Sequence, residues 1–195
     1  MTVLGNGLLS ADHNEEALSV QEANLSMLKR IDAGEKAILS VQSNLASTYQ
    51  YLGRLEEALS MRRDTYSGTL NIEGEESSNT HIEALNYTNV LLRLKRFEEA
   101  KSLLRKTMPV ARRILGESHE TTLLMRSNYA VTLYVDPGAM LDDLREAVTT
   151  LEEIKRIARR VLGAAHPLAS GIERSLQNAR AALRARETQP SSGNA

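Results

Sequence analysis

Residues 43–59 read SNLASTYQYLGRLEEAL, and 42 positions later residues 85–101 read LNYTNVLLRLKRFEEAK. Under that shift Asn44 falls on Asn86, Tyr49 on Leu91 and Leu52 on Leu94. The run Arg54-Leu55-Glu56-Glu57-Ala58 falls on Arg96-Phe97-Glu98-Glu99-Ala100. A second step of 42 reaches SNYAVTLY at residues 127–134 and makes Asn128 the third Asn in line. The register then slips by five, so that Ala100 matches Ala147 and ARRILGESH (111–119) matches ARRVLGAAH (158–166). The extra residues fall within 135–142, where Asp136-Pro137-Gly138 is turn chemistry without apolar anchors. An insertion confined to a turn is what a solenoid of stacked repeats tolerates. This segment is expected to form a loop longer than those at Gly53-Arg54 and Lys95-Arg96, and the most mobile one inside the chain.

Each unit of the repeat reads as two helices. Phe97, Ala100, Leu103, Leu104, Met108, Ala111, Ile114 and Leu115 follow helical spacing, and Leu141, Leu144, Ala147, Val148, Leu151, Ile154, Ala158 and Val161 do so more strongly. Weaker stripes run through 38–52 and 168–183, and strict alternation of period two is absent. The layout is eight helices, at 12–32, 36–51, 55–72, 78–94, 97–115, 120–135, 139–162 and 167–186. Gly34, Gly74, Gly116 and Gly163 stand where left-handed residues close helices, and Ser77, Ser78, Thr121 and Thr122 where the next helices are capped. Pro109 inside a helix predicts a kink, and Gly68 weakens 55–72 by about 1 kcal/mol relative to Ala. The expected organisation is a flexible start at 1–11, one helical-repeat domain at 12–186 with 3.5–4 repeats, and a flexible tail at 187–195 that adds nothing to stability.

Composition narrows the function. The 24 Lys+Arg and 25 Asp+Glu leave a net charge of -1, against a nucleic-acid-binding role. The balance is uneven, since residues 1–98 carry 9 basic and 14 acidic side chains, and 99–195 carry 15 and 11. No run approaches a membrane span, and MTVLGNGLLSADHN lacks the basic and apolar regions of a secretion signal. Zero Cys excludes disulfides and cysteine catalysis, which fits an intracellular, cytoplasmic chain.

The quoted stretches resemble the tetratricopeptide repeat in the 42-residue form of kinesin light chains. The resemblance rests on three triplets, Asn44-Leu45-Ala46, Asn86-Tyr87-Thr88 and Asn128-Tyr129-Ala130, and on Gly53-Arg54-Leu55-Glu56-Glu57-Ala58. It rests also on the Arg-Arg-apolar-Leu-Gly-x-x-His linkers at 112–119 and 159–166, with His166-Pro167 keeping the family's His-Pro. It covers about 12–186, although the linkers at Gly34 and Gly74 depart from it, and the heptad segment of a true kinesin light chain is missing. The resemblance implies an all-α, right-handed superhelical solenoid of antiparallel helix pairs, whose first helices line a concave groove that binds peptides or protein segments.

Candidate chemistry is thin. His119 and His166 are repeat equivalents that read as turn-ordering and capping residues, and no metal or other cofactor is expected at these or at His13 and His81. The pairs Glu56/Glu57, Glu98/Glu99 and Glu152/Glu153 diverge by about 100 degrees along a helix, which does not suit acid–base catalysis. Neither a phosphate loop nor a nucleophile elbow is present, so no catalytic residue is expected. Arg156, Arg159, Arg160, Arg180, Arg184 and Arg186 read as a solvated face, or as a site for acidic or phosphorylated segments. The Asn ladder is the most informative feature, because Asn is a poor helix-interior residue. Its amides either bond neighbouring helices or hold the backbone of an extended peptide. By the family's geometry the groove comprises Asn44, Ser47, Tyr51, Leu85, Asn86, Asn89, Arg93, Ser127, Asn128 and Val131. The expected function is a non-enzymatic adaptor or scaffold for a protein or peptide segment, a monomer or weak oligomer. A structural protein that self-assembles through its end helices is the alternative.

Overall fold

The computed structural model describes residues 14–188. The expectations for residues 1–11, for His13 and for 189–195 lie outside the described residues. Among those described there are eight α-helices and no strand: α1 (Asn14–Arg30), α2 (Glu35–Tyr51), α3 (Leu55–Glu73), α4 (Ser78–Arg93), α5 (Phe97–Leu115), α6 (Glu120–Val135), α7 (Leu141–Leu162) and α8 (Pro167–Thr188). They form two compact units that divide between Leu94 and Lys95. In the first, α1 packs on α2, α2 on α3 and α3 on α4. In the second, α5 packs on α6, α6 on α7 and α7 on α8, while α6 also touches α8.

The repeat sets the core of each unit. Ala58, Ala100 and Ala147 hold one repeat position, and all three are fully buried. A methyl group there lets the second helix of a pair lie close to the first. Leu104 and Leu151 are likewise equivalent and fully buried, as are Ala111 and Ala158. The remaining faces of α5 and α7 carry the charged residues, so burial follows the stripes through most of both helices, but Ile114 and Val161, which share one repeat position, are exposed.

Several local expectations change. Gly74, Gly116 and Gly163 close their helices with φ of 80, 92 and 88 degrees. Gly34 does not close one: its φ is -54 degrees, and it stands before the first residue of α2. The left-handed residue after α1 is Asp32, with φ of 51 degrees. Ser77 caps α4 as expected, its hydroxyl accepting from the Asn79 N–H at 3.2 Å. Thr121 and Thr122 cap nothing, because they lie inside α6 and are buried. That helix is capped by His119, whose Nδ1 accepts from the Thr121 N–H at 3.2 Å, and His166 Nδ1 does the same for Leu168 at 3.2 Å. The equivalent linker histidines are therefore helix caps.

The register slip divides between a loop and a helix. Residues 136–140 separate α6 from α7, against three residues in each of the earlier intra-pair turns, and α7 has 22 residues where α3 and α5 have 19. Leu141 and Asp142 are thus helical, and the loop does have an apolar anchor, the buried Ala139. Its backbone is tied too, by Gly138 N–H to Asp136 Oδ1 at 2.8 Å and Met140 N–H to Asp143 Oδ2 at 2.9 Å. Pro109 lies on the exposed side of an uninterrupted α5, where water can reach the carbonyl that its missing N–H leaves unbonded. Gly68 has a packing reason: a Cβ there would stand 2.7 Å from Leu39 Cδ2, so glycine lets α2 approach α3. At the other end, α8 continues to Thr188, and Glu187 lies 3.8 Å from Arg145, so the tail does not begin at 187.

The turns inside the first two pairs make one prediction. Gly53 has φ of 75 degrees, and its repeat equivalent Lys95 has φ of 59 degrees. The left-handed region costs a non-glycine residue about 1 kcal/mol or more. Lys95→Gly is expected to stabilise the chain by about 1 kcal/mol, read as a higher midpoint in urea denaturation. An unchanged midpoint would show that Lys95 carries no strain.

Candidate partner-binding faces

In the first unit, α2 and α4 are joined through a buried guanidinium on α3. Arg62, whose side chain is 4% exposed, donates to Ser43 Oγ at 2.8 Å, to Ser47 Oγ at 2.6 Å and to Gln50 Oε1 at 2.9 Å. Its Nη1 also lies 3.7 Å from Glu83 Oε2. Glu83 in turn accepts from Ser43 at 2.8 Å and from Thr65 at 3.0 Å. Burial pushes the Arg62 guanidinium down from its ordinary value, and Glu83 opposes that. Three hydrogen-bonded helices and one ion pair hold this junction in register.

The faces of α2 and α4 beyond this junction receive the sequence-derived residues in different states. Asn44 and Asn86 are half-buried, and among the described residues neither side-chain amide has a hydrogen-bond partner. Ser47 is half-buried but its hydroxyl is taken by Arg62 and by the Ser43 carbonyl. Leu85 is 7% exposed and belongs to the core, leaving little surface for a partner. Tyr51 is 71% exposed at the end of α2. Arg93 is exposed and donates to the Gln50 carbonyl at 2.8 Å, while Asn89 is half-buried and engaged within the chain.

A cleft of about 280 Å³ opens beside Asn44. Leu39, Ile72 and Ile82 give it apolar walls, and Ser40, Thr69 and Asn79 give it polar ones. Glu73, the last residue of α3, accepts from Ser77 Oγ at 2.6 Å and Asn79 Nδ2 at 2.9 Å on Oε2. Its Oε1 meets Lys36 Nζ at 3.1 Å. Those hydrogen bonds, from Ser77 first, then Asn79 and Lys36, hold the Glu73 carboxyl down at about 2. The group is therefore charged throughout the neutral range.

In the second unit, Ser127, Asn128 and Val131 of α6 line one cleft of about 690 Å³ together with Gly171, Arg174, Ser175 and Asn178 of α8. Ser127 is mostly buried, Val131 is half-buried, and Asn128 is half-buried and engaged within the chain. The α8 contribution was legible in the sequence. A shift of 47 carries Ser127, Asn128 and Val131 onto Arg174, Ser175 and Asn178.

Several of the other charged residues singled out in the sequence have structural partners. Glu57 pairs with Arg54 at 2.9 Å and Glu99 with Arg96 at 2.5 Å, each across the start of a helix. Glu153 reaches Arg126 of α6 and Glu152 reaches Arg180 of α8, both at 2.6 Å, so the two carboxylates point to different helices. Arg159 lies 3.5 Å from Glu173, and Arg156 Nε donates to the Glu152 carbonyl at 3.4 Å. Arg160, Arg184 and Arg186 are exposed. Among the described residues no three His, Asp or Glu side chains converge as a metal site, and no helix is long and apolar enough to cross a membrane.

Comparison with known proteins agrees with this architecture. A family profile described as tetratricopeptide repeat matches residues 38–76 and 85–121. Two crystal structures of nearly identical TPR-like repeats from a kinesin light chain-like protein of Podosopora anserina share the fold. A point variant has a TM-score of 0.79 and the other form 0.77, each at 19% identity over 95% of this chain and 86% of that one. BtubC (BKLC) from P. vanneervenii gives a TM-score of 0.71 at 17% identity, over 99% of this chain and 82% of its own. No curated protein matched the chain in sequence. Tetratricopeptide repeats are a scaffold for protein–protein interaction, and such families are typically non-enzymatic. The repeat period, the helix pairs and these matches together make the chain an all-α helical-repeat solenoid that matches the tetratricopeptide repeat over residues 38–76 and 85–121 and is similar in fold to kinesin-light-chain-like repeats.

Proposed function

We propose that the chain is an adaptor that holds an extended segment of a protein partner against the first helices of its pairs, the face that forms the concave groove in tetratricopeptide solenoids. One observation carries the reading. Asn44 and Asn86 stand on α2 and α4 at one repeat position, half-buried, with amides that bond nothing among the described residues. A side-chain amide offers two donors and an acceptor, the complement of a peptide main chain. An amide retained to tie helices together would be hydrogen-bonded inside the chain. In the second unit the α6/α8 cleft offers a seat of the same kind, with Asn178 and Ser175 beside Asn128.

The test begins with selection of binders from a random peptide library on the purified chain. Asn44→Ala/Asn86→Ala is expected to weaken the selected peptides about thirtyfold, from about 1 kcal/mol per lost hydrogen bond. The melting temperature should not move, because no internal bond is lost. A lower melting temperature with unchanged affinity would return both residues to a structural role.

A further inference from the structure

We infer that the cleft beside Asn44 receives the side chain of a lysine from the partner segment, and that Lys36 occupies its carboxylate in the unbound chain. The inference deepens the adaptor reading and rests on it. All the residues involved belong to the first unit.

The charges are arranged from the inside out. Glu73 and Glu83 are set into the cleft, their side chains 17% and 14% exposed. Glu83 is balanced from beneath by the buried Arg62. Among the described residues Glu73 Oε1 is answered only by Lys36, which reaches in from solvent with 69% of its side chain exposed. So exposed a partner gains little from the contact, since exposed ion pairs contribute about 0–1 kcal/mol. An ammonium delivered by a bound segment would keep the same oxygen paired in a drier setting.

The rest of the cleft suits the remainder of a lysine. Leu39, Ile72 and Ile82 line it, and Ile72 and Ile82 are large apolar side chains left exposed. A four-carbon stem can lie along such walls while its charged head reaches a polar end. Thr69 supplies a second, independent sign of a ligand. It is 8% exposed, it lines the cleft, and its hydroxyl has no hydrogen-bond partner among the described residues. The Thr69 hydroxyl and the Asn44 amide oxygen can accept the N–H groups of the ammonium that Glu73 does not take. Arginine fits less well. Glu73 Oε2 is already bonded to Ser77 and Asn79, leaving a single oxygen where a guanidinium fork needs two.

The experiment uses the whole chain, its Lys36→Ala variant and peptide pools with a fixed central lysine, norleucine, arginine or glutamate among randomised neighbours. On Lys36→Ala the lysine pool is expected to bind about tenfold tighter than the norleucine pool, and tighter than on the parent chain. Thr69→Val, nearly isosteric, should reduce that preference without moving the melting temperature, and Glu73→Gln should abolish it. Pools that bind, and that respond to Asn44→Ala/Asn86→Ala, yet show no preference for lysine, would overturn the lysine seat and leave the adaptor reading standing. Should no pool bind, the adaptor reading fails. The seat is then decided by titrating Nα-acetyl-lysine methylamide into Lys36→Ala and following the backbone amide resonances of Thr69, Ile72 and Ile82. Shifts confined to that cleft support it, and their absence overturns it.

Discussion

Arg62→Ala is expected to cost about 3–5 kcal/mol of stability, the usual result of removing one member of a buried ion pair. The loss has two parts. Among the described residues Glu83 would be left with only the Ser43 and Thr65 hydroxyls to bond it, and Ser47 and Gln50 lose the donor that satisfied them. The repeat itself supplies the control. Arg62 and Glu83 stand where the next repeat has Leu104 and Met125 and the last has Leu151 and Ile172, all four fully buried. Arg62→Leu/Glu83→Met is therefore expected to be neutral or stabilising by about 1–4 kcal/mol, because an apolar pair avoids the desolvation of two charges. Urea denaturation of the single and double variants measures both numbers. A single variant within about 1 kcal/mol of the parent would mean that the junction is held by apolar packing alone.

His81→Leu should act in the opposite direction. The His81 side chain is almost fully buried in α4, and neither ring nitrogen has a hydrogen-bond partner among the described residues. An unpaired buried polar group costs about 1–3 kcal/mol, and the repeat equivalents of His81 are Leu39 and Leu123. The variant is expected to gain that amount at pH 7. Burial also pushes the imidazole below its ordinary value of 6.5. Above pH 6.5 the ring is neutral in the folded and unfolded chain alike. As pH falls through 6.5 the unfolded chain takes up a proton that the folded chain resists, so stability declines until the folded value is passed. His81→Leu should remove that part of the acid slope. A variant that is less stable at pH 7, or that keeps the whole slope between pH 7 and 5, would show that His81 is satisfied in solution.

Helix placement was legible because the repeat states the apolar stripe several times, and a stripe repeated at one period cannot be accidental. The capping role of His119 and His166 followed from their shared place in the linker, while the competing Thr121 and Thr122 were misread because a Thr pair near a helix start looks the same whether it caps or is buried. Arg62 and Glu83 were not legible as partners, since they lie 21 positions apart on different helices and neither belongs to the repeat pattern. Their departure from Leu104 and Met125 was visible, but only packing turns a departure into a contact. The Asn ladder was legible as a line of residues and not as a chemical state. Nothing in the spacing tells Asn128, which is engaged within the chain, from Asn44 and Asn86, whose amides bond nothing among the described residues. Gly68 shows the same limit: its cost to α3 could be read from propensity, but its reason is Leu39, 29 positions away.

The buried Arg62–Glu83 link also bears on how the chain finds its register while folding. Chains of near-repeats run a specific risk, that a helix pair docks on the wrong neighbour and buries an almost equivalent apolar face. Layers built from Leu104 and Met125 or from Leu151 and Ile172 are chemically alike in this sense, since all four side chains are apolar and fully buried. The first repeat is not interchangeable with either. If α4 docked elsewhere, Glu83 would be buried without its cation, and if α3 did so, Arg62 would be buried without its carboxylate. Each mistake costs several kcal/mol, so a mispaired first repeat would be short-lived. The polar junction thus gives the α3/α4 layer an identity that the two apolar layers lack.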